Sequence, residues 1–482
     1  MNNKSVLDDD RISRLLLKLS LPAFFGLAVI TLYNVVDTIF IGHYVGALGI
    51  AGLSICFPVQ MLSMGIGQMT GMGGASLISR LIGAGNTPKA ERALGNALVS
   101  TLVLCLIFMA AGLTNIDSVL RLIGASDTVL PYARDYLTII LIGLFFQTCA
   151  MTMTFLIRAG GNAAVPMIGM ILGAVLNIML DAIFIILLGM GVKGAALATI
   201  IAQVISVGYF ISYYLTGKSY LKLQPNSFII EWHIFKQILA IGVASFTRTM
   251  STSVSMIFIN RMLNVYGGDP AVSAFGILNR LVMFALMPGM VIGQGLQPIL
   301  GFNYGAKRYD RALRSIGIAV AAATFCSIIA FLLLYFSPGL FIRIFTTDSE
   351  LIALGVYAAK RVFFLLYLVG LTMVCSIVFQ ALGKAVKAFI TAVSRSALFL
   401  LPCVLILPHY FQLDGVWLAF PVTDVLTLIL VLILIIPQIQ DLRRMVSVKE
   451  ENPSLMLERN KDIQPVAVTT EYNREQDITS GY

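Results

Sequence analysis

Three aspartates lie inside long apolar segments of the chain, where carboxylates are uncommon. They are Asp37, Asp181 and Asp424, and Asp37 is the only charged residue between Lys18 and Arg80. An aspartate at the centre of a membrane helix costs about 2.5–3.5 kcal/mol on insertion scales, so such a residue usually has a function. The alternative is a structural carboxylate that is hydrogen-bonded between helices. The first interpretation predicts that these acids bind or exchange a cation.

Two neutral polar residues are predicted to lie beside Asp181. Asn177 precedes it by one helical turn, so both side chains share one face. Thr199 lies in the next apolar segment, at a depth in the membrane similar to that of Asp181. Asp37 lies at the same depth, in a helix that runs outward from Lys18. Carboxylate, amide and hydroxyl oxygens can hold a proton or a hard cation. We therefore predict a cation-coupling site formed by Asp37, Asn177, Asp181 and Thr199, with a Na⁺ position at the last three.

The composition indicates that membrane-spanning helices position these residues. Hydrophobic residues make up 58% of the 482 positions and charged residues only 12%, against about a quarter charged in soluble proteins. Apolar segments of about 20 residues recur and lack the alternation of barrel strands. The predicted fold is all-α and polytopic, with about twelve transmembrane helices. The predicted spans are 15–43, 50–82, 93–115, 132–158, 163–188, 193–216, 235–263, 271–304, 311–336, 352–382, 387–410 and 414–437.

Lysine and arginine collect in every second predicted loop and beside both ends of the spans. The positive-inside rule then predicts a multi-pass protein of the cell membrane with both termini in the cytoplasm. This topology accounts for the net charge of +9, which is scattered over short loops, so nucleic acid is not predicted as a partner. The predicted partners are the lipid bilayer and a small molecule, and the chain is predicted to act as a monomer. The polar segment 438–482 is predicted to be a disordered cytoplasmic tail.

An internal repeat divides the predicted spans into two halves. Three loop sequences recur: GAGNTPKAERALGNA (83–97) as GAKRYDRALRSIGIA (305–319), RAGGNA (158–163) as QALGKA (380–385), and GAALA (194–198) as GVWLA (415–419). A shared shift of about 220 residues predicts a duplication. Two pseudo-symmetric six-helix bundles of the same orientation follow, an arrangement that suits alternating access. The predicted parts are a cytoplasmic N-terminus (1–14), an N-lobe (15–216), a cytoplasmic linker (217–234) and a C-lobe (235–437).

The repeat is not symmetric in its carboxylates. It places Ser255 opposite Asp37 and no acid opposite Asp181. Coupling is therefore predicted to belong to the N-lobe. Asp424, which lies opposite Gln203, is predicted to be either a second proton site or a structural hydrogen-bond partner.

Several motifs occur together in a specific order. They are LPAFFG, VVDTIFIG, SRLIGAGN, RAGGNAAVP, LNIMLDAIFI, VKGAALAT and GQGLQPILGFNYGAKR. Over residues 10–440 the chain resembles the MATE (multidrug and toxic compound extrusion) transporters, in particular prokaryotic members with acids in the N-lobe. The resemblance implies that the four predicted coupling residues bind the cation and that Tyr33 and Tyr136 line the same cavity. Both tyrosines fit interfacial anchors equally well, and Arg280 is either a substrate contact or a structural counter-charge.

The resemblance implies a secondary active multidrug exporter that exchanges H⁺ or Na⁺ for amphipathic, often cationic organic compounds. The two N-lobe acids are expected to titrate as a coupled pair. The sequence has no ATP-binding motif and no nucleophile–base pair, so we expect neither enzymatic activity nor a cofactor beyond the coupling ion. One alternative is a flippase of lipid-linked oligosaccharides from the wider superfamily, with a more cationic cleft. A receptor or structural membrane protein is the other.

Overall fold

The chain folds almost entirely into helices. The computed structural model describes residues 6–9 and 11–451, and this part of the chain contains no β-strand. The helices are α1 (Ile12–Tyr44), α2 (Ala47–Gly83), α3 (Thr87–Thr114), α4 (Ile116–Ile123), α5 (Leu130–Ala159), α6 (Ala164–Asp181), α7 (Gly191–Leu215), α8 (Trp232–Gly305), α9 (Tyr309–Phe336), α10 (Pro338–Ile342), α11 (Ser349–Val362), α12 (Val369–Ala381), α13 (Ala385–Val393) and α14 (Leu401–Glu451). Two π-helical segments, Ala182–Leu187 and Ser394–Leu400, extend α6 and α13.

The predicted number of spans agrees with the helices. Within residues 11–451, nine helices are long and apolar enough to cross a membrane, or ten with the bent pair Ser349–Val362 and Leu366–Ala381 as one span. Two of these helices each join two spans across a residue with non-helical backbone, Gly268 and Gln412. If the two parts of each of these helices are counted as separate spans, the number of spans rises from ten to twelve. The all-α polytopic prediction is confirmed.

The structure also contains features that the hydropathy pattern does not indicate. Two short helices, α4 and α10, follow the third and ninth predicted spans. Gly124 ends α4 with a left-handed backbone, and Pro338 begins α10 at a position where its missing N–H is not needed. The predicted span 352–382 is interrupted near Phe363, where the chain bends by 48°. Apolar character alone cannot distinguish such breaks from continuous helix.

Each half of the repeat buries its own hydrophobic core. One cluster of buried side chains lies within residues 41–196, and another lies within residues 259–419. Both are formed by apolar faces of the helices in a single half, as expected for a duplicated bundle. The two-bundle fold therefore follows from packing within each half.

The halves meet where α2 ends and where α8 ends. A methyl group on Gly83 would collide with the carbonyl oxygen of Phe302, and a methyl group on Gly305 would collide with that of Arg80. The two contacts are related by the shift of the sequence repeat. Only glycine permits the backbones to approach this closely. The pseudo-symmetry of the sequence is thus present in the contacts between the halves.

The chain divides into two compact units between Ile435 and Ile436. The second unit, as far as Glu451, is the last part of α14 and is helical. The structure differs here from the disordered tail predicted to begin at 438, because residues 438–451 contain many good helix formers that continue the helix of the span. Residues 452–482 of that predicted tail lie outside the described residues.

Candidate cation-coupling site

Three helices that pack against one another carry the four predicted coupling residues. Asp37 lies on α1, Asn177 and Asp181 on α6, and Thr199 on α7. Asp181 is the last residue of α6, and the π-helical segment Ala182–Leu187 follows it directly. A π-helical turn changes the direction of side chains along a helix and is frequent at functional sites. The local backbone therefore sets where the Asp181 carboxylate points.

The structure brings the predicted residues together. Asn177 Nδ2 donates a hydrogen bond of 3.4 Å to Thr199 Oγ1, which itself donates to the Ala195 carbonyl at 3.0 Å. Asn177 is 3% exposed and Asp181 is fully buried. Asp37 is close enough to Asp181 for the two carboxyl groups to interact electrostatically. The residues that the sequence places at one depth thus form two interacting pairs, and one member of each pair, Asn177 and Asp181, lies on α6 one turn from the other.

Four acceptor oxygens of this group have no hydrogen-bond donor among residues 6–9 and 11–451. They are Asp37 Oδ1, Asn177 Oδ1 and both carboxylate oxygens of Asp181. A buried polar atom without a partner costs about 1–3 kcal/mol, and a charged group costs more. A proton or a Na⁺ ion can satisfy such oxygens, since both interact favourably with carboxylates and Na⁺ accepts amide oxygen as well. The side chains present therefore fit the predicted cation site.

Both predicted cavity tyrosines lie beside the acids. Tyr33 interacts electrostatically with Asp37 and Asp181, and Tyr136 does so with Asp37 and Tyr33. Tyr136 is 4% exposed, and its hydroxyl accepts a hydrogen bond of 2.9 Å from Gln60 Nε2. Burial of the Tyr136 ring argues against the interfacial anchor for this residue. The sequence analysis did not identify Gln60 as a site residue, although its amide group inside an apolar segment could have indicated it.

Asp424 has a partner that the sequence analysis missed. Its Oδ1 accepts a hydrogen bond of 2.9 Å from Nε of Arg395, and the two side chains form a salt bridge. Asp424 is 4% exposed. Arg395 is itself a charge inside a predicted span, which was the available signal. This pairing favours the structural alternative for Asp424, in contrast to Asp181, whose oxygens have no donor within the described part of the chain.

Gln203, which the repeat places opposite Asp424, and Arg280 were the other two possible secondary site residues, and they lie on other helices than Asp424 and Arg395. Gln203 is half-buried on α7, one turn after Thr199. Arg280 is exposed, and its guanidinium carbon lies 5.9 Å from the ring centroid of Phe345, between α10 and α11. A cation over an aromatic ring is a stabilising contact. The contact favours the structural alternative for Arg280 over a substrate contact.

A duplicated body of membrane-spanning helices, with two neighbouring acids inside the spans of one half, is typical of integral membrane transporters. The MatE family model matches residues 22–183 and 240–406, one segment in each half of the repeat. The chain belongs to the MatE family.

Relatives and solved structures resemble the chain over most of its length. The multidrug export protein MepA of Staphylococcus haemolyticus (strain JCSC1435) is 27% identical over 409 residues, which cover 85% of this chain and 90% of the relative. A structure of the MATE multidrug transporter DinF-BH is 43% identical, with a TM-score of 0.82 and coverage of 88% and 95%. A crystal structure of MATE in the bent conformation is 26% identical, with a TM-score of 0.87 and coverage of 93% and 99%. These likenesses confirm the predicted two-bundle fold and its place among membrane transporters.

Proposed function

We propose that the protein is a secondary active exporter that exchanges H⁺ or Na⁺ for amphipathic, often cationic organic compounds. The observation that carries the proposal is the acid pair Asp37 and Asp181, whose buried oxygens have no donor within the described part of the chain. The names of the relatives add support, since one is a multidrug export protein and another is a multidrug transporter.

Exchange follows from competition for one set of oxygens. An organic cation binds beside the carboxylates, and the tyrosine rings of Tyr33 and Tyr136 provide an apolar, cation-attracting surface. An H⁺ or Na⁺ that arrives from outside occupies Asp37 and Asp181 and removes the negative charge that holds the substrate. Because coupling between two ligands is reciprocal, the substrate also displaces the ion from the inward-facing state. Rocking of the two halves exposes the site to each side in turn.

The topology is part of the same proposal. Both termini lie in the cytoplasm, the N-lobe comprises 15–216 and the C-lobe 235–437, and the monomer is the transporting unit in the plasma membrane. The arrangement of basic residues in alternate loops supports this orientation. The last turn of α2, which contains Arg80, and the turns that contain Arg308 and Lys384 would then face the cytoplasm.

The alternatives predict other sites. A flippase of lipid-linked oligosaccharides would need a cationic cleft for its acidic substrate, whereas the residues brought together here are two acids and two tyrosines. A receptor or structural protein would not need the duplicated body of a transporter family. Export driven by an ion gradient therefore has the better support.

Vesicles with reconstituted protein provide the test. Movement of a fluorescent organic cation such as ethidium is measured under a proton gradient alone, under a sodium gradient alone and without a gradient, for the native protein and Asp37→Asn. We expect one gradient to drive transport at least tenfold above the rate without a gradient, and Asp37→Asn to abolish that increase. The exposed acid Asp310 provides the matched control, Asp310→Asn. Native protein that responds to neither gradient would refute the proposal.

A further inference from the structure

A short segment before α1 contacts both halves of the protein. Residues 6–9, called the N-terminal strap below, begin with one turn of 3₁₀-helix, Val6–Asp8. The strap lies between the turn that joins α5 to α6 and the turn that joins α8 to α9. The first turn belongs to the N-terminal half of the repeat and the second to the C-terminal half.

The contact with the N-terminal half is apolar. Leu7 is fully buried. A methyl group built on Gly161, in the turn after α5, would lie 3.3 Å from Leu7 Cγ and 3.4 Å from Val6 Cβ. Gly161 has φ of +92°, which favours glycine, and its missing side chain leaves room for the leucine. Leu7 therefore anchors the strap against this turn.

The contact with the C-terminal half is ionic. Asp8 Oδ1 forms a salt bridge with Nη1 of Arg308, whose side chain is 41% exposed. Arg311 Nη2 donates a hydrogen bond of 2.5 Å to the carbonyl of Asp9. Asp9 Oδ1 in turn accepts a hydrogen bond of 3.0 Å from the backbone N–H of Arg11, just before α1. The strap is thus held in a defined conformation at the start of the first span.

We propose that the N-terminal strap is a latch that stabilises the state in which these ends of the two halves are together. The inference rests on the proposed alternating access, in which the same ends separate. The Gly83 and Gly305 contacts hold α2 and α8 together at this end, and the strap adds a tie between the turns that follow α5 and α8. The bridging geometry is the basis of the proposal, because neither contact alone would join the halves.

The two contacts differ in strength, which fixes where the latch opens. Separation of the fully buried Leu7 from the N-terminal half would expose its whole side chain to water. Separation of the partly exposed pair Asp8 and Arg308 costs little, because water solvates both charged groups. The strap is also bonded to the residue before α1, through the hydrogen bond from the Arg11 N–H to Asp9 Oδ1. It is therefore expected to remain on the N-terminal half and to release Arg308 and Arg311.

A distance measurement tests the latch without reference to transport. Spin labels are placed at the exposed residues Lys89 and Val386, at the starts of α3 and α13, after the six native cysteines have been replaced by alanine. We expect Asp8→Asn to raise the ratio of separated to closed molecules about two- to fivefold, the range for a partly exposed ion pair. The double variant Asp8→Arg with Arg308→Asp should restore the native ratio.

Two further variants make the result specific. Leu7→Ala removes the apolar anchor and should raise the same ratio, whereas Asp310→Asn changes an exposed acid next to Arg311 and should leave it unchanged. An unchanged ratio in both Asp8→Asn and Leu7→Ala would overturn the latch, as would an equal rise in Asp310→Asn. Because the readout is a distance, the latch can fail while ion-driven transport holds, and the reverse is also true.

Discussion

Asp181 and Asp424 are both buried acids inside spans, yet their substitution by asparagine should have opposite effects on stability and transport. Both oxygens of Asp181 lack a donor in the described part of the chain, whereas Asp424 is paired with Arg395. A carboxylate that exchanges a cation needs oxygens that can bind the cation. A carboxylate with a structural role has its oxygens bonded to other side chains of the protein.

The magnitudes follow from these surroundings. Removal of one partner of a fully buried ion pair costs about 3–5 kcal/mol. Since the Arg395 side chain is 31% exposed and the pair is therefore only partly buried, we expect Asp424→Asn to lower the free energy of unfolding by about 2 kcal/mol. Asp181→Asn introduces an N–H donor one helical turn from Asn177, whose Oδ1 has no donor among the described residues. It should leave the free energy of unfolding unchanged or raise it by about 1 kcal/mol.

The assay combines unfolding in detergent with gradient-driven ethidium transport in vesicles. Asp181→Asn is expected to be stable and uncoupled, and Asp424→Asn to be less stable but still coupled to the ion gradient. The double variant Asp424→Asn with Arg395→Gln should recover part of the lost stability, since it no longer leaves a guanidinium without its carboxylate. Marked destabilisation by Asp181→Asn, together with a stable and uncoupled Asp424→Asn, would refute this assignment of roles.

Three other variants test the site and the contact between the halves. Asp37→Asn should abolish gradient-driven transport at normal membrane levels, because an amide cannot take up and release a proton; normal coupling in a well-expressed Asp37→Asn would count against the site. Gly305→Ala displaces the carbonyl of Arg80 and should slow transport about tenfold, as expected for overpacking of about 1–3 kcal/mol. The control Gly208→Ala places its methyl group in open space among the described residues and should leave the rate unchanged. Equal rates in the two variants would contradict the close-contact argument. Gln60→Leu removes the hydrogen bond to the Tyr136 hydroxyl and should weaken ethidium binding about fivefold, or about 1 kcal/mol, in a fluorescence titration; unchanged affinity would separate Tyr136 from the substrate cavity.

Most of the fold could be predicted from the sequence, because membrane insertion imposes strong local rules. Length and hydropathy determine which segments span the bilayer, and the backbone must be helical there. The repeated loops, such as 83–97 and 305–319, establish the duplication without any knowledge of contacts. Hydropathy did not indicate the short α4 and α10 or the bend near Phe363, since these depend on caps and local backbone angles.

For the site, the sequence by itself determined which residues were unusual: a carboxylate in an apolar span is costly wherever it lies, so Asp37, Asp181 and Asp424 were all identified. Tertiary structure alone decided what surrounds each one. Asp424 meets Arg395, which is 29 residues away along the chain, while the oxygens of Asp181 have no donor in residues 6–9 and 11–451. The cost of burying a charge depends on its own position, but the interaction that offsets it depends on which helices pack together, and that pairing is set by the whole fold.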